Sequence, residues 1–299
     1  MDLKQLQYFT QIANLGSFSR ASGALDIAQP ALSRQIGLLE AELGAHVFVR
    51  HGRGVRLTDR GRLLLEHATG ILHQCDRALA AMRSKDAPLS GRIAVGLPPS
   101  LCRLLAVPLL QQLRQRFPEL RVSLREALSS HLLDWLKRGS LDCAVCYNVV
   151  AGPDFTLQSL GDEPRYLIAP TSDKSAPQGG RVSLLQLARL PLILPSHPHA
   201  TRVMVESRLA AKSLKPVIAA EVDGVSSILS LIRAGYGYGV LPHSALLGAA
   251  GQEDLRSIAV LGSPFKSQVS LVTASRRPDS EAQRHVTALL ISLMSTIPR

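Results

Sequence analysis

Long apolar runs are missing from this chain: nowhere in its 299 residues do 18 apolar residues follow one another, which is about the length a membrane-crossing helix needs. The N-terminus does not pair a basic start with an apolar stretch either. MDLKQLQYF is amphipathic from its first residues, so it is not read as a secretory leader. A cytoplasmic protein with no membrane partner is expected. Cysteine is scarce, with four residues at positions 75, 102, 143 and 146. Cys143-x-x-Cys146 has the spacing of a zinc or redox pair, but it lies in DCAVCY, which reads as a buried strand. Residues three apart on a strand point to opposite faces, so these are read as free core thiols. Cys102 lies near a predicted crevice and is a candidate for reaction with oxidants.

Acidic residues are the minority charge, 23 against 34 Lys and Arg, for a net charge of +11. Such a balance suggests polyanionic partners, but its distribution qualifies that inference. Residues 1–90 carry 11 basic and 8 acidic side chains, and the remainder carries 23 and 15. Any nucleic-acid contact therefore depends on where a few arginines sit, while the basic C-terminal region favours a small anionic ligand. Convergent catalytic motifs are not found: no Ser/His/Asp or paired-carboxylate arrangement is identifiable, and no enzyme, metal or cofactor is expected. Gly235-Tyr-Gly-Tyr-Gly239 mimics a dinucleotide loop, but it follows a helix and precedes a strand, the reverse of the fingerprint, and close chain packing explains it better. His197-Pro-His199 lacks a third ligand at useful spacing. An apolar fraction of 46% argues for folded domains.

What is present is most informative between residues 17 and 40, SFSRASGALDIAQPALSRQIGLLE. A short helix from about Ser19 to Asp26, burying Ala21 and Leu25, is followed by a corner at Ile27 and Ala28. A second helix begins at Pro30, a residue well suited to a first helical position. Leu32, Ile36 and Leu39 fall at helical spacing and face inward. Gln29, Ser33 and Arg34 are left on the solvent side, and Gln and Arg match adenine and guanine edges in the major groove. Residues 46–61, HVFVRHGRGVRLTDRG, then read as two strands around a Gly52-Arg53-Gly54 tip, a wing that can set Arg53 against the DNA backbone or in a narrow minor groove.

These blocks, together with DLKQLQYF at the start and the later LSGRIAVGLPPS, FPELRVSL, GSLDCAVCYN and GYGYGVLP, resemble the LysR-type transcriptional regulators over essentially the whole chain. Within that family LDIAQPALSRQI, ILHQCDRA and LSGRIAVGLPPS are most similar to the branch of the nitrogen assimilation control protein. The resemblance maps DNA contacts to Gln29, Pro30, Ser33, Arg34 and Arg53. It implies double-stranded promoter DNA as a partner, RNA polymerase as a second, and dimers that commonly pair into tetramers. Ala28 stands where many members carry a Ser or Thr cap, a difference of roughly 1 kcal/mol. Gly23 and Gly37 each cost their helices about 1 kcal/mol relative to Ala.

Thr58 and Asp59 suit the start of a long helix reaching to about Asp86, ahead of Pro88. Leu64, Ala68, Ile71, Cys75, Ala78 and Met82 alternate at spacings of four and three, a two-helix seam. Beyond residue 91 strands and helices alternate, which predicts parallel α/β sheets. The expected fold class is α/β, with an N-terminal all-α winged helix-turn-helix domain (1–58), a linker and dimerisation helix (59–87) and an effector domain (88–299). That domain resembles the periplasmic-binding-protein-like fold, with one lobe at 91–161 and 268–299 and the other at 162–267. Ligands of open α/β sheets bind beyond the carboxyl ends of the strands, at helix N-termini. Ser100, Ser129, Ser130, Tyr147, Thr201 and Arg202 occupy such positions and suit a small carboxylate or similar oxyanion. A regulator controlled by its own abundance, a solute-binding protein, and an enzyme with an appended DNA module are the alternatives.

Overall fold

The computed structural model describes residues 1–52, 54–82, 88–247, 252–261 and 265–297. Three helices open the chain: α1 (Leu3–Leu15), α2 (Phe18–Leu25) and α3 (Gln29–Leu43). Capping defines the first two. Asp2 and Gln5 form a reciprocal capping box on α1, and Ser17 accepts the Arg20 amide on α2. Their core is Leu6, Phe9 and Ile12 against Ala21, Leu32, Ile36 and Leu39. The antiparallel strands β1 (Phe48–His51) and β2 (Gly54–Leu57) pair Phe48 with Leu57 and His51 with Gly54. Gly54 sits at φ +141°, and a Cβ there would lie 2.3 Å from the Gly16 carbonyl oxygen. That close approach clamps the wing onto the end of α1.

Helix α4 (Asp59–Ala81) starts at Thr58, whose Oγ1 accepts the Gly61 amide at 2.9 Å. The predicted stretch beyond Met82 falls outside the described residues, apart from Pro88. Of the predicted seam, Leu64 and Ala68 pack into the N-terminal core instead, because α4 lies across α1. Ile71, Ala78 and Met82 are exposed, with Leu79 beside them, and Cys75 is half-buried. A third face of α4 is bound to the following domain, which the heptad-like spacing gave no hint of. A Cβ on Gly70 would sit 2.4 Å from the Arg138 carbonyl oxygen. Gln74 donates to the Gly139 carbonyl at 3.0 Å, and Arg138 pairs with Glu66.

The rest alternates strand and helix: β3 (Gly91–Leu97), α5 (Pro99–Arg116), β4 (Leu120–Glu126), α6 (Ser129–Lys137), β5 (Cys143–Tyr147), β6 (Phe155–Pro170), β7 (Arg181–Val182), α7 (Leu184–Arg189), β8 (Pro191–Leu194), α8 (Ala200–Ala210), β9 (Val217–Glu221), α9 (Val225–Arg233), β10 (Tyr238–Pro242), β11 (Leu255–Val260), β12 (Lys266–Ala274) and α10 (Glu281–Thr296). The described strands from β3 onward run in the order β4-β3-β5-β12-β6-β10-β8-β9, with β11 on β6 and β7 on β11. β3 is parallel to β4 and β5, and β8 is parallel to β9 and β10. The two crossing strands depart from the all-parallel expectation. β6 and β12 run antiparallel to each other, and β6 pairs with β12 through residues 155–164 before turning to β10 and β11 through 165–170.

One half of this sheet is covered by α5 and α10 on one face and α6 on the other; α7 and α8 oppose α9 on the second half. Cys143 belongs to the core under α5 and Cys146 to the core under α6, as strand parity requires. A Cβ on Gly237 would lie 2.3 Å from the Pro191 carbonyl oxygen. The Gly235–Gly239 run is therefore a packing feature.

Candidate DNA interface and ligand cleft

The turn between α2 and α3 is held by short local bonds. Asp26 adopts a left-handed conformation at φ +53°, the Ile27 amide donates to the Ser22 carbonyl at 3.1 Å, and Ser22 Oγ donates to the Ile27 carbonyl at 2.5 Å. α3 then starts from Ala28, whose side chain offers no cap; its carbonyl accepts the Ala31 and Leu32 amides at 3.0 and 3.1 Å, and Pro30 carries no N–H. Gln29, Pro30 and Arg34 are exposed along this end, and Ser33 is half-buried in a groove facing Phe48 and Arg50 of the wing. Arg50 stacks on Phe18, 5.7 Å from the ring centroid. Arg56, Arg60 and Arg62 are exposed on the same module, and Arg53 lies outside the described residues. The exposed guanidinium groups make this face of the module suited to a polyanionic backbone.

A cleft of about 670 Å³ separates the two halves of the sheet. Ser100, Ser129, Ser130, Tyr147 and Thr201 all line it, contributed by the starts of α5, α6 and α8 and the end of β5. The start of α9 meets the same space at Val225. No described side chain caps α5, α6 or α9, whereas His199 Nδ1 accepts the Thr201 amide at 3.1 Å and caps α8. Four helix N-termini thus bring positive dipole ends to one cavity. Its walls are otherwise largely apolar, including Leu133, Val149, Phe155, Met204 and Leu241.

Arg202 departs from the expectation. It does not line the cleft; its guanidinium pairs with Glu206 and, at 2.9 Å, with Glu221. The buried cationic group at the cavity, which the exposed Arg208 and Lys266 also line, is Arg165; the sequence reading missed it because GDEPR resembles a polar loop. Arg165 is 4% exposed and lies 3.1 Å from Glu163 and 4.8 Å over the Tyr147 ring. The Tyr147 hydroxyl meets Ser100 Oγ at 3.0 Å, and Ser129 Oγ accepts the Tyr147 amide at 2.9 Å. Burial, then the Glu163 charge, push the phenol well above its ordinary pKa. Asp223, also missed, lines the cavity and accepts the Ser196 amide at 2.8 Å. His197 pairs with Glu206, and among the described residues no cluster of three His, Cys, Asp or Glu side chains is arranged to hold a metal.

The two halves are also clasped beside the cleft. Arg103 on α5 donates to the carbonyls of Ser244, Ala245 and Leu247, at 3.2, 2.5 and 2.9 Å, in the turn that follows β10. Ser244 Oγ in turn donates to Glu163 at 2.6 Å. Among the described residues no helix is long and apolar enough to cross a membrane.

Comparison with known proteins converges with this geometry. The family described as bacterial regulatory helix-turn-helix protein, lysR family, matches residues 3–62, and the LysR substrate binding domain matches residues 86–295. The nitrogen assimilation regulatory protein nac of Klebsiella aerogenes is 33% identical over 296 residues, covering 99% of this chain and 96% of that one. Its counterpart from Escherichia coli K12 is 32% identical over 297 residues, with 99% and 96% covered. Full-length CbnR complexed with its target DNA superimposes with a TM-score of 0.70 at 23% identity, over 99% of both chains. The chain belongs to the LysR family and is a DNA-binding transcriptional regulator, a helix-turn-helix module joined to an α/β substrate-binding domain.

Proposed function

We propose that a small anion with an apolar body binds in the cleft and shifts how paired DNA-binding modules are placed on a promoter. The observation that carries this reading is the convergence of four helix N-termini, three without side-chain caps, on one cavity with apolar walls. Ser100, Ser130 and Thr201 supply hydroxyls, and the first-turn amides supply the remaining donors. On the DNA side, Gln29, Ser33 and Arg34 read bases, Pro30 packs against them, and Arg53 anchors the wing. The exposed stripe Ile71, Ala78, Leu79 and Met82 pairs two chains, giving a dimer that spans two half-sites of an interrupted dyad. RNA polymerase is the further partner this role calls for, and no catalytic turnover is part of it.

A thermal-shift screen of the full chain against carboxylates, aromatic acids and amino acids tests the cleft. A ligand at a hundred times its Kd adds about 2.7 kcal/mol, a rise of roughly 5–10 °C for a domain of this size. The rise should disappear in Thr201→Ala. One observation favours a ligand-independent regulator controlled by abundance: the buried Arg165 is already paired with Glu163, and the Ser100 and Tyr147 hydroxyls already bond each other. A silent screen supports that second reading.

A further inference from the structure

Ser19 stands in the first turn of α2, a helix already capped by Ser17. Its hydroxyl is not needed at the helix end and is directed across the turn, where it donates to Gln29 Oε1 at 3.1 Å. Gln29 is the first residue of α3, and its backbone is fixed by the Ser22–Ile27 bonds that set the turn. Backbone and amide are therefore both held, while Ser19 and Gln29 stay exposed to an approaching duplex. With one lone pair of Oε1 engaged, Gln29 presents the other lone pair and the Nε2 hydrogens. Adenine offers an N7 acceptor beside an N6–H donor, whereas guanine offers two acceptors, N7 and O6. The held amide fits adenine, with Nε2–H to N7 and N6–H to Oε1, and sets Oε1 against O6 of guanine. An amide without Ser19 can turn over about its last torsion and present Nε2–H to O6.

We propose that Ser19 is a positioning residue for Gln29 and makes the recognition helix discriminate adenine from guanine at one base pair of each half-site. The proposal rests on the reading that Gln29 touches a base. Its test uses the full-length protein and a site selected from random DNA. Affinity is measured for that site and its single-base variants with the wild type, Ser19→Ala, Ser19→Thr and Gln29→Ala. In Ser19→Ala the adenine-over-guanine preference falls about 5-fold at one position, the loss of one ordinary hydrogen bond, with other positions and the salt slope unchanged. Ser19→Thr, which keeps the hydroxyl, restores the preference, and Ser19→Ala has no effect on preference in a Gln29→Ala background. Weakening on all sequences alike with a shallower salt slope makes Ser19 a phosphate contact and overturns the proposal. An unchanged preference in Ser19→Ala overturns it as well. If Gln29→Ala alters no position, the base-contact reading fails and takes the proposal with it, a result that Gln29→Ala reports independently of the Ser19 variants.

Discussion

His199 caps α8 from inside the cleft, and its surroundings disfavour the charged ring. Burial first, and then the Arg165 charge, hold its pKa below the ordinary 6.5, with Asp223 pulling weakly the other way. The unfolded chain takes up that proton near pH 6.5 and the folded chain only at lower pH, so acidification through 6.5 favours the unfolded state. Urea midpoints are expected to fall between pH 7 and pH 5.5. His199→Asn, which keeps a capping acceptor, should flatten part of that slope; an identical slope would mean the ring is solvated. The thiols give a second residue-scale test. Burial, reinforced by a hydrogen bond and charge from Glu126, pushes Cys102 up to about 11, and burial pushes Cys146 up to about 12. Little thiolate is present at neutral pH, so Cys102 is a poor oxidant target. Residue-resolved mass spectrometry after a brief native alkylation should find Cys102, Cys143 and Cys146 unmodified, with all four cysteines modified in denaturant. Rapid native labelling of Cys102 would reverse that conclusion. The placement of Cys143 and Cys146 was legible because strand parity is a local rule. The fate of Arg202 was only half legible: Glu206 lies four residues on along the same helix, but Glu221 belongs to a strand 19 positions on.

Glycines within the helices show why elements cannot be graded from sequence alone. Gly23, Gly37 and Gly61 all look like the same helix-weakening residue. A Cβ at Gly23 or Gly37 meets nothing within 4 Å, whereas at Gly61 it would lie 2.0 Å from the Val47 carbonyl oxygen. Gly23→Ala is therefore expected to stabilise by about 0.5–1 kcal/mol, and Gly61→Ala to destabilise by about 1–3 kcal/mol through overpacking. Chemical denaturation of the two variants checks both signs. Ala28→Ser belongs with the first: its extended backbone, φ −57° and ψ 131°, suits a cap, and a serine should add about 1 kcal/mol. The same two-helix motif, the strands of the wing and the strand–helix alternation were legible because periodicity and capping act within a few residues. β6 was only half legible. Its first ten residues carry Gly161, charges and Pro164, and they form a strand because β12 supplies a long-range partner for them.

Joining the DNA module to the α/β domain depends on a buried carboxylate rather than on the apolar stripe of α4. Asp142, 3% exposed at the start of β5, accepts the Ala94 amide of β3 at 2.7 Å and faces His73 Nε2 at 2.8 Å and Arg77 at 3.3 Å. Arg77 also donates to the Pro278 carbonyl at 2.8 Å. β3 and β5 run from this junction towards the cleft, where Pro98, just past the end of β3, and Tyr147, the last residue of β5, both line the cavity, so linker helix and ligand site share two strands. None of this was visible in the sequence, where His73 and Asp142 stand 69 positions apart in unrelated patterns. It also means that a fragment starting at residue 88 would lack the groups that pair with Asp142, which is why ligand screening calls for the full chain. Asp142→Asn removes the carboxylate that Arg77 pairs with and that His73 Nε2 bonds, and removing one partner of such a buried ion pair costs about 3–5 kcal/mol. The urea midpoint of the full chain should drop accordingly. Hydrogen exchange should quicken in α4 between Gly70 and Ala81 along with β3 and β5. If α4 kept its protection while only the strands loosened, Asp142 would be serving the β3–β5 edge alone, and the two domains would be joined by the contacts at Gly70, Gln74 and Arg138 instead.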